Sequence, residues 1–249
     1  MIATFPEQRE AKRQALLEAV ESLRSVFLDG AEEAEARCTL PQATVDAIYE
    51  TGLFSFKVPQ VMGGAEADPM IQLDVIEAAS RIESSAGWCL MIGAGSLANL
   101  AAFCPDEAID DLFVGGKAPK TAGVFAPSGE ATPVDGGYRV SGRWAYGSGI
   151  RHSEWVSGGA RVIIGGPDSL ETIRVVVPTS QVNIHDNWHV VGLRGTGSCE
   201  YSMSGLFVPK RFTWAGTESR PQRGGPNFLL GRPGTVSYTH LTLPTSDLV

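Results

Sequence analysis

The chain has 249 residues, 43% of them hydrophobic and 19% charged, which is enough apolar material for a core and excludes disorder along its whole length. Acidic residues number 28 against 20 basic ones, for a formal net charge of −8. An acidic surface gives no general electrostatic help toward nucleic acid or anionic lipid, so neither is an expected partner.

The four cysteines, Cys38, Cys89, Cys104 and Cys199, are scattered without CxxC spacing. They read as the reduced thiols of a cytoplasmic protein rather than as a disulfide framework or a zinc knuckle. The first fourteen residues are polar and charged, with no apolar signal core. The longest apolar stretch, residues 88–103, is interrupted by Gly93, Gly95, Ser96 and Asn99 and reads as a buried core helix, not a membrane span.

The first half of the chain has a helical period. Leu16, Leu17, Val20, Leu23 and Phe27 recur at helical spacing, predicting one helix over 14–27. Thr39 followed by Gln42 reads as a capping box, with Pro41 in the first turn of a second helix that carries Val45 and Ile48 and stops at Gly52. Asp68-Pro69 opens a third, with Met70, Leu73, Ile76 and Ala79 on one face. Ser84 or Ser85 is placed to cap a fourth, and Pro105-Asp106-Glu107 opens a short fifth that ends at Gly115-Gly116.

After Lys117 the period changes. Residues 121–126, 137–146, 155–164, 172–178 and 199–209 are β-branched and aromatic runs bounded by Gly, Pro, Asp or Ser, and read as mainly antiparallel strands. Asp135-Gly136-Gly137 is a tight-turn signal. Helices followed by strands predict an α+β fold, with an N-terminal helical domain over 1–118 and a central β domain over 119–218. Residues 219–234, rich in Gly, Pro and Arg, read as a linker. Residues 235–249 match nothing before them in composition and resemble translated sequencing-adapter read-through, so they are expected to be foreign.

No Walker loop or GxSxG elbow is present. Gly195-Thr196-Gly197 begins like a dinucleotide fingerprint, but Glu200 stands where the third glycine belongs and no strand-to-helix turn surrounds it. His185 and His189 bracket Asp186-Asn187-Trp188, a near miss to HExxH. The glutamate base is missing and the context is strand-like, so the two read as surface or turn histidines and no metal site is expected. Residues 142–155 place small side chains and the Ser148 hydroxyl at a strand end between aromatics. Such a strand end lets backbone approach a flat ligand and offers one directional hydrogen bond, although core and turn packing accounts for the same pattern. Trp88 on an apolar helix, Arg194 among glycines, and Arg151 with His152 each also have an ordinary structural reading.

Five segments occur in a telling order: Ser84-Ser85-Ala86-Gly87-Trp88-Cys89, then Gly123-Val124-Phe125-Ala126-Pro127-Ser128-Gly129, then residues 141–149, then residues 186–198, then Phe207-Val208-Pro209. Together they resemble the acyl-CoA dehydrogenase superfamily over about residues 10–234. More narrowly they resemble its two-component flavin-dependent monooxygenases, the hydroxylases of 4-hydroxyphenylacetate and of steroid-derived phenols.

The resemblance implies a helical domain, an antiparallel β-barrel-like domain and a C-terminal four-helix bundle, of which this sequence matches only the first two. It implies a flavin-dependent monooxygenase that takes reduced FMN or FAD from a separate flavin reductase and hydroxylates an aromatic or similar small molecule. An acyl-CoA dehydrogenase, or an inactive flavin-binding fragment, are the alternatives. Gly123, Val124, Phe125 and Ala126 would line the flavin ring. Tyr146, Gly147 and Ser148 take the place of the family's Trp-Ile-Thr contact, with Ser148 toward ring atom N5, and Trp88 would close the pocket.

Two departures stand out. Ser96 occupies the position, eight residues after the helix tryptophan, where many monooxygenases carry histidine. Ser128-Gly129-Glu130 replaces the dehydrogenases' Gly-Ser-Asp. The resemblance puts the catalytic residues and one wall of the flavin site in the bundle, so this chain alone is expected to bind flavin weakly and to be inactive, with an apolar face of residues 90–103 exposed. The full-length form is expected to be a homotetramer.

Overall fold

The structure, a computed structural model, describes residues 5–164, 171–216 and 220–229. The single helix expected over 14–27 is two: α1 (Arg9–Ser22) and α2 (Arg24–Arg37). They are separated by Leu23 alone, at φ −90° and ψ 0°. Leu16, Val20, Leu23 and Phe27 are buried straight through the break, so the hydrophobic period does not register it.

The capping box does not form. In α3 (Gln42–Glu50) the N-cap residue is Pro41 and no side chain caps the helix. The expected cap of α4 (Pro69–Ile82) does form, with the Asp68 carboxylate accepting from the Met70 and Ile71 N–H groups. Its buried face is Ile71, Gln72, Val75, Ile76 and Ala79, while Met70 is 59% exposed. The stripe is rotated by about one residue because Gln72, donating to the Ala67 carbonyl, is satisfied inside.

The fourth predicted helix is α5 (Ser84–Phe103). Its cap is neither serine. Glu83 accepts from the Ser85 N–H at 2.9 Å and the Ala86 N–H at 2.6 Å. By length and composition α5 could cross a membrane, but 83% of that stretch is buried inside the protein. The apolar face expected to be exposed is covered. Leu90, Leu97 and Leu100 enter the main core, and Phe228 with Trp214 packs on Ala98, Ala102 and Phe103. The short α6 (Asp106–Leu112) follows, and helix gives way to strand after Gly116.

The sheet has seven strands among the described residues, in the order β5-β6-β2-β1-β3-β4-β7. They are β1 (Thr121–Val134), β2 (Gly137–Gly147), β3 (Trp155–Val162), β4 (Thr172–Pro178), β5 (Asn183–Ile184), β6 (Cys199–Pro209) and β7 (Thr213–Ala215). The five expected strands are all present, and β5 and β7 are additions too short to read from sequence. The sheet is mixed and open, not an antiparallel barrel. β1 and β3 pair in parallel, and every other strand pair among the described residues is antiparallel. The chain returns from the β1–β2 hairpin to the opposite edge of β1, which forces the parallel register. Asp135-Gly136 makes the hairpin turn, with Gly136 at φ +75°.

Residues 220–229, inside the expected linker, dock on α5 and end in α7 (Pro226–Leu229). Arg223 donates to the Ala101 carbonyl at 2.8 Å and to the Cys104 carbonyl, satisfying terminal acceptors of the helix from far away in sequence. The proposed foreign segment, 235–249, lies outside the described residues.

Candidate functional site

The expected site residues fall on three elements. α5 carries Trp88, β1 carries Gly123, Val124, Phe125 and Ala126, and the end of β2 carries Tyr146 and Gly147, with Ser148 just beyond it. The structure brings Trp88 and Ser148 together, the indole Nε1–H donating to Ser148 Oγ at 2.9 Å. Two turns further along α5, Ser96 Oγ lies 3.1 Å from the point where a Cβ on Gly123 would stand. One helix therefore touches both strand ends.

In β1 the segment after Val124 leaves the ladder. Residues 121–124 pair with residues 155–158 of β3, and pairing resumes only at Gly129 opposite Ala160. Pairing with β2 also begins at Gly129, opposite Gly142. Residues 125–128 thus bulge out of the sheet without a ladder partner. Ala126, Pro127 and Ser128 are exposed. Arg174 of β4, only 6% exposed, fixes the bulge by donating to the Phe125 carbonyl and lying over the Phe125 ring at 4.8 Å.

At the end of β2 the backbone reverses. Tyr146 sits at φ +66° and Gly149 at φ +75°. Tyr146 is 71% exposed, and Trp188 meets it edge-on with ring centroids 6.2 Å apart. Ser148 is buried, and its N–H donates to the Tyr146 carbonyl. Its hydroxyl is 2.7 Å from Ser198 Oγ, which is 2.7 Å from Thr196 Oγ1, which donates to the Leu193 carbonyl at 2.8 Å. Sequence reasoning missed Ser198, Thr196 and Arg174. Only Arg174 left a signal, as a lone charge within the apolar run 173–177.

The other candidates have structural partners. His185 pairs with Ser202 Oγ and His189 with the Asp186 carbonyl. Among the described residues no group of three or more His, Cys, Asp or Glu is placed to hold a metal. Arg151 binds Asp186 and Cys199 Sγ. Arg194 donates to the Glu35 carbonyl and Cys38 Sγ, tying the turn before β6 to α2.

Two buried side-chain atoms among the described residues have no partner, Ser96 Oγ and His152 Nδ1. Burial pushes the His152 imidazole down to about 4 from an ordinary 6.5, and the Lys120 ammonium adds to the effect. Unfolding then takes up a proton at pH values between about 4 and 6.5. Stability from this group is complete above that window, declines as pH falls through it, and levels off below about 4. The loss is expected to reach about 3 kcal/mol. Guanidinium melts at pH 7.5 and 4.5 check this. His152→Gln should narrow the difference between the two midpoints by that amount.

Residues 9–111 match the family described as acyl-CoA dehydrogenase, N-terminal domain. The helical region thus matches the N-terminal domain of the acyl-CoA dehydrogenase superfamily, and the similarities that follow extend across the sheet. The chain is similar to oxygenase components. It is 33% identical over 207 residues to the flavin-dependent monooxygenase oxygenase subunit HsaA of Mycobacterium tuberculosis, covering 83% of this chain and 52% of that protein. It is 30% identical to the oxygenase component of an FADH(2)-dependent resorcinol hydroxylase of Rhizobium sp., covering 78% and 47%. Among solved structures it matches XiaF from Streptomyces sp., in complex with FADH2 and glycerol. There the TM-score is 0.75 at 32% identity, over 93% of this chain and 55% of the other. The chain spans about half the length of the relatives it matches.

Proposed function

We propose that this chain is the helical and sheet portion of a flavin-dependent monooxygenase, an oxygenase component that hydroxylates an aromatic or similar small molecule. Its cofactor is reduced FMN or FAD, supplied by a separate flavin reductase. The observation that carries the reading is the Trp88–Ser148 hydrogen bond at the end of β2, with the exposed Tyr146 ring next to it in sequence and, in β1, the stretch 125–128 that has no ladder partner. These features fit a flat isoalloxazine ring. Gly123, Val124, Phe125 and Ala126, where β1 leaves the ladder, line the ring, Tyr146 gives an aromatic wall, and Ser148 gives a hydroxyl contact. When bound, reduced flavin supplies the electrons with which dioxygen is activated. The chain's own part is to hold the ring, keep its Ser148 edge dry behind Trp88, and set its orientation. The alternative of an acyl-CoA dehydrogenase gains nothing from the named relatives, which are oxygenases.

A cytoplasmic setting belongs to the same reading and is supported by the four free thiols. So do the homotetramer of the longer protein and its division at residue 118. Anaerobic titration of the 249-residue protein with reduced FMN and FAD tests the proposal. Saturable binding, weakened about fivefold in Ser148→Ala for the loss of one neutral hydrogen bond, is expected. Absence of saturable binding of either flavin in either redox state sinks the reading.

A further inference from the structure

The hydroxyls behind Ser148 form a chain whose two ends admit only one direction. At one end stands the Trp88 indole, which can only donate, and it donates to Ser148 Oγ. At the other end stands the Leu193 carbonyl, which can only accept, and it accepts from Thr196 Oγ1. A hydroxyl has one proton. Thr196 has spent its proton on Leu193, so across the 2.7 Å contact with Ser198 it must accept. Ser198 has then spent its proton on Thr196, so across the next 2.7 Å contact it accepts from Ser148. The Ser148 backbone N–H is spent as well, on the Tyr146 carbonyl at 2.9 Å. Both donors of Ser148 are committed inward. What it presents to a ligand is a single remaining oxygen lone pair.

That polarity distinguishes the two redox states of a flavin. Reduced flavin carries a proton on N5 and donates there, whereas oxidised flavin has only a lone pair at N5 and needs a donor. We propose that Ser198 and Thr196 are positioning residues that hold Ser148 as an obligate acceptor. The site thereby selects reduced over oxidised flavin. The inference rests on the reading of Ser148 as the N5 contact, and it adds residues and a hydrogen-bond direction that the reading lacks, with a physical cause for its use of reduced flavin. For an oxygenase component served by a separate reductase, the preference matters: the spent, oxidised ring would lose its contact and leave. The chain is also well anchored. Leu193 lies at φ +55°, and its carbonyl accepts from the Trp188 indole at 3.2 Å too. Ser148, Thr196 and Ser198 are all buried, so water does not compete for these protons.

The test measures dissociation constants of the 249-residue protein for oxidised and dithionite-reduced FMN and FAD. Wild type is expected to bind the reduced form about tenfold more tightly. Ser198→Ala removes the acceptor and frees the Ser148 proton, so oxidised flavin should bind about fivefold more tightly while reduced flavin does not gain. Thr196→Val removes the acceptor for Ser198, lets Ser198 donate back to Ser148, and should shift the ratio in the same direction. In a Ser148→Ala background, Ser198→Ala should no longer change the ratio. A ratio unchanged in both Ser198→Ala and Thr196→Val, or equal losses for both redox states, overturns the directed chain while leaving flavin binding intact. If wild type binds neither redox state, the functional reading falls and this inference falls with it.

Discussion

Trp144→Ala is expected to lower the free energy of unfolding by about 3–5 kcal/mol, the range for deleting a large buried aromatic. Trp144 is fully buried on β2. Its ring stacks on Tyr201 of β6, with centroids 5.3 Å apart and an interplanar angle of 14°. Its Nε1–H donates to the Gly159 carbonyl of β3 at 2.8 Å. The side chain thus crosses under β1 and fastens β2 to β3. Room for it is made by glycines on three strands. A Cβ on Gly142 would lie 3.0 Å from the indole and one on Gly158 2.8 Å from it, and one on Gly129 would lie closer still. Because backbone surrounds the ring on three sides, the site cannot collapse onto an alanine. Trp144→Phe keeps part of the stack but leaves the Gly159 carbonyl unpaired, and should cost less, about 2 kcal/mol. Guanidinium unfolding of the three proteins, compared at their midpoints, checks the order. A Trp144→Ala protein within 1 kcal/mol of wild type would mean that the sheet is not built around this ring.

The same residues show what can be read from sequence and what cannot. The β1–β2 hairpin is legible because Asp135-Gly136 meets the turn's demand for a positive φ at Gly136. The cap of α4 is legible because a short carboxylate before a proline has one obvious use. Glu83 as a cap is not, since its longer side chain is an uncommon choice and two serines stand beside it. The break between α1 and α2 is hidden because Leu23 keeps the apolar phase. The parallel pairing of β1 with β3 is hidden because a strand's partner is chosen by the tertiary fold, not by its own pattern. At the site, small residues and a hydroxyl marked 146–148 as a strand end able to meet a flat ligand, and the resemblance gave Ser148 its role. Its partners lie on α5 and on the turn before β6, dozens of residues away in either direction. No local spacing encodes such a chain.

Arg174→Met is expected to destabilise the protein by about 3–4 kcal/mol, combining a lost charge-assisted hydrogen bond with a carbonyl left unpaired. It is also expected to weaken flavin binding more than any change at Ser148. Arg174 lies within an apolar run on β4, where neighbouring Ile173, Val175, Val176 and Val177 are all buried. Its guanidinium donates to the Phe125 carbonyl, and its plane lies over the Phe125 ring. Those contacts hold the start of the bulge at residues 125–128, the stretch that has no ladder partner in β2 or β3. A segment with so few sheet hydrogen bonds keeps its shape only through side chains that pin it. Methionine fills the volume but offers no donor, so the Phe125 carbonyl must turn elsewhere and the bulge loses its fixed form. Arg174→Lys restores charge without the planar fork and should recover stability only in part. The two effects separate experimentally. Thermal melting reports the stability loss, and anaerobic titration with reduced FMN or FAD, at a temperature where each variant is folded, reports the bulge. An Arg174→Met protein that melts lower yet binds reduced flavin with unchanged affinity would remove residues 125–128 from the proposed flavin site and leave Trp88, Gly123, Val124, Tyr146, Gly147 and Ser148 as its footprint on this chain.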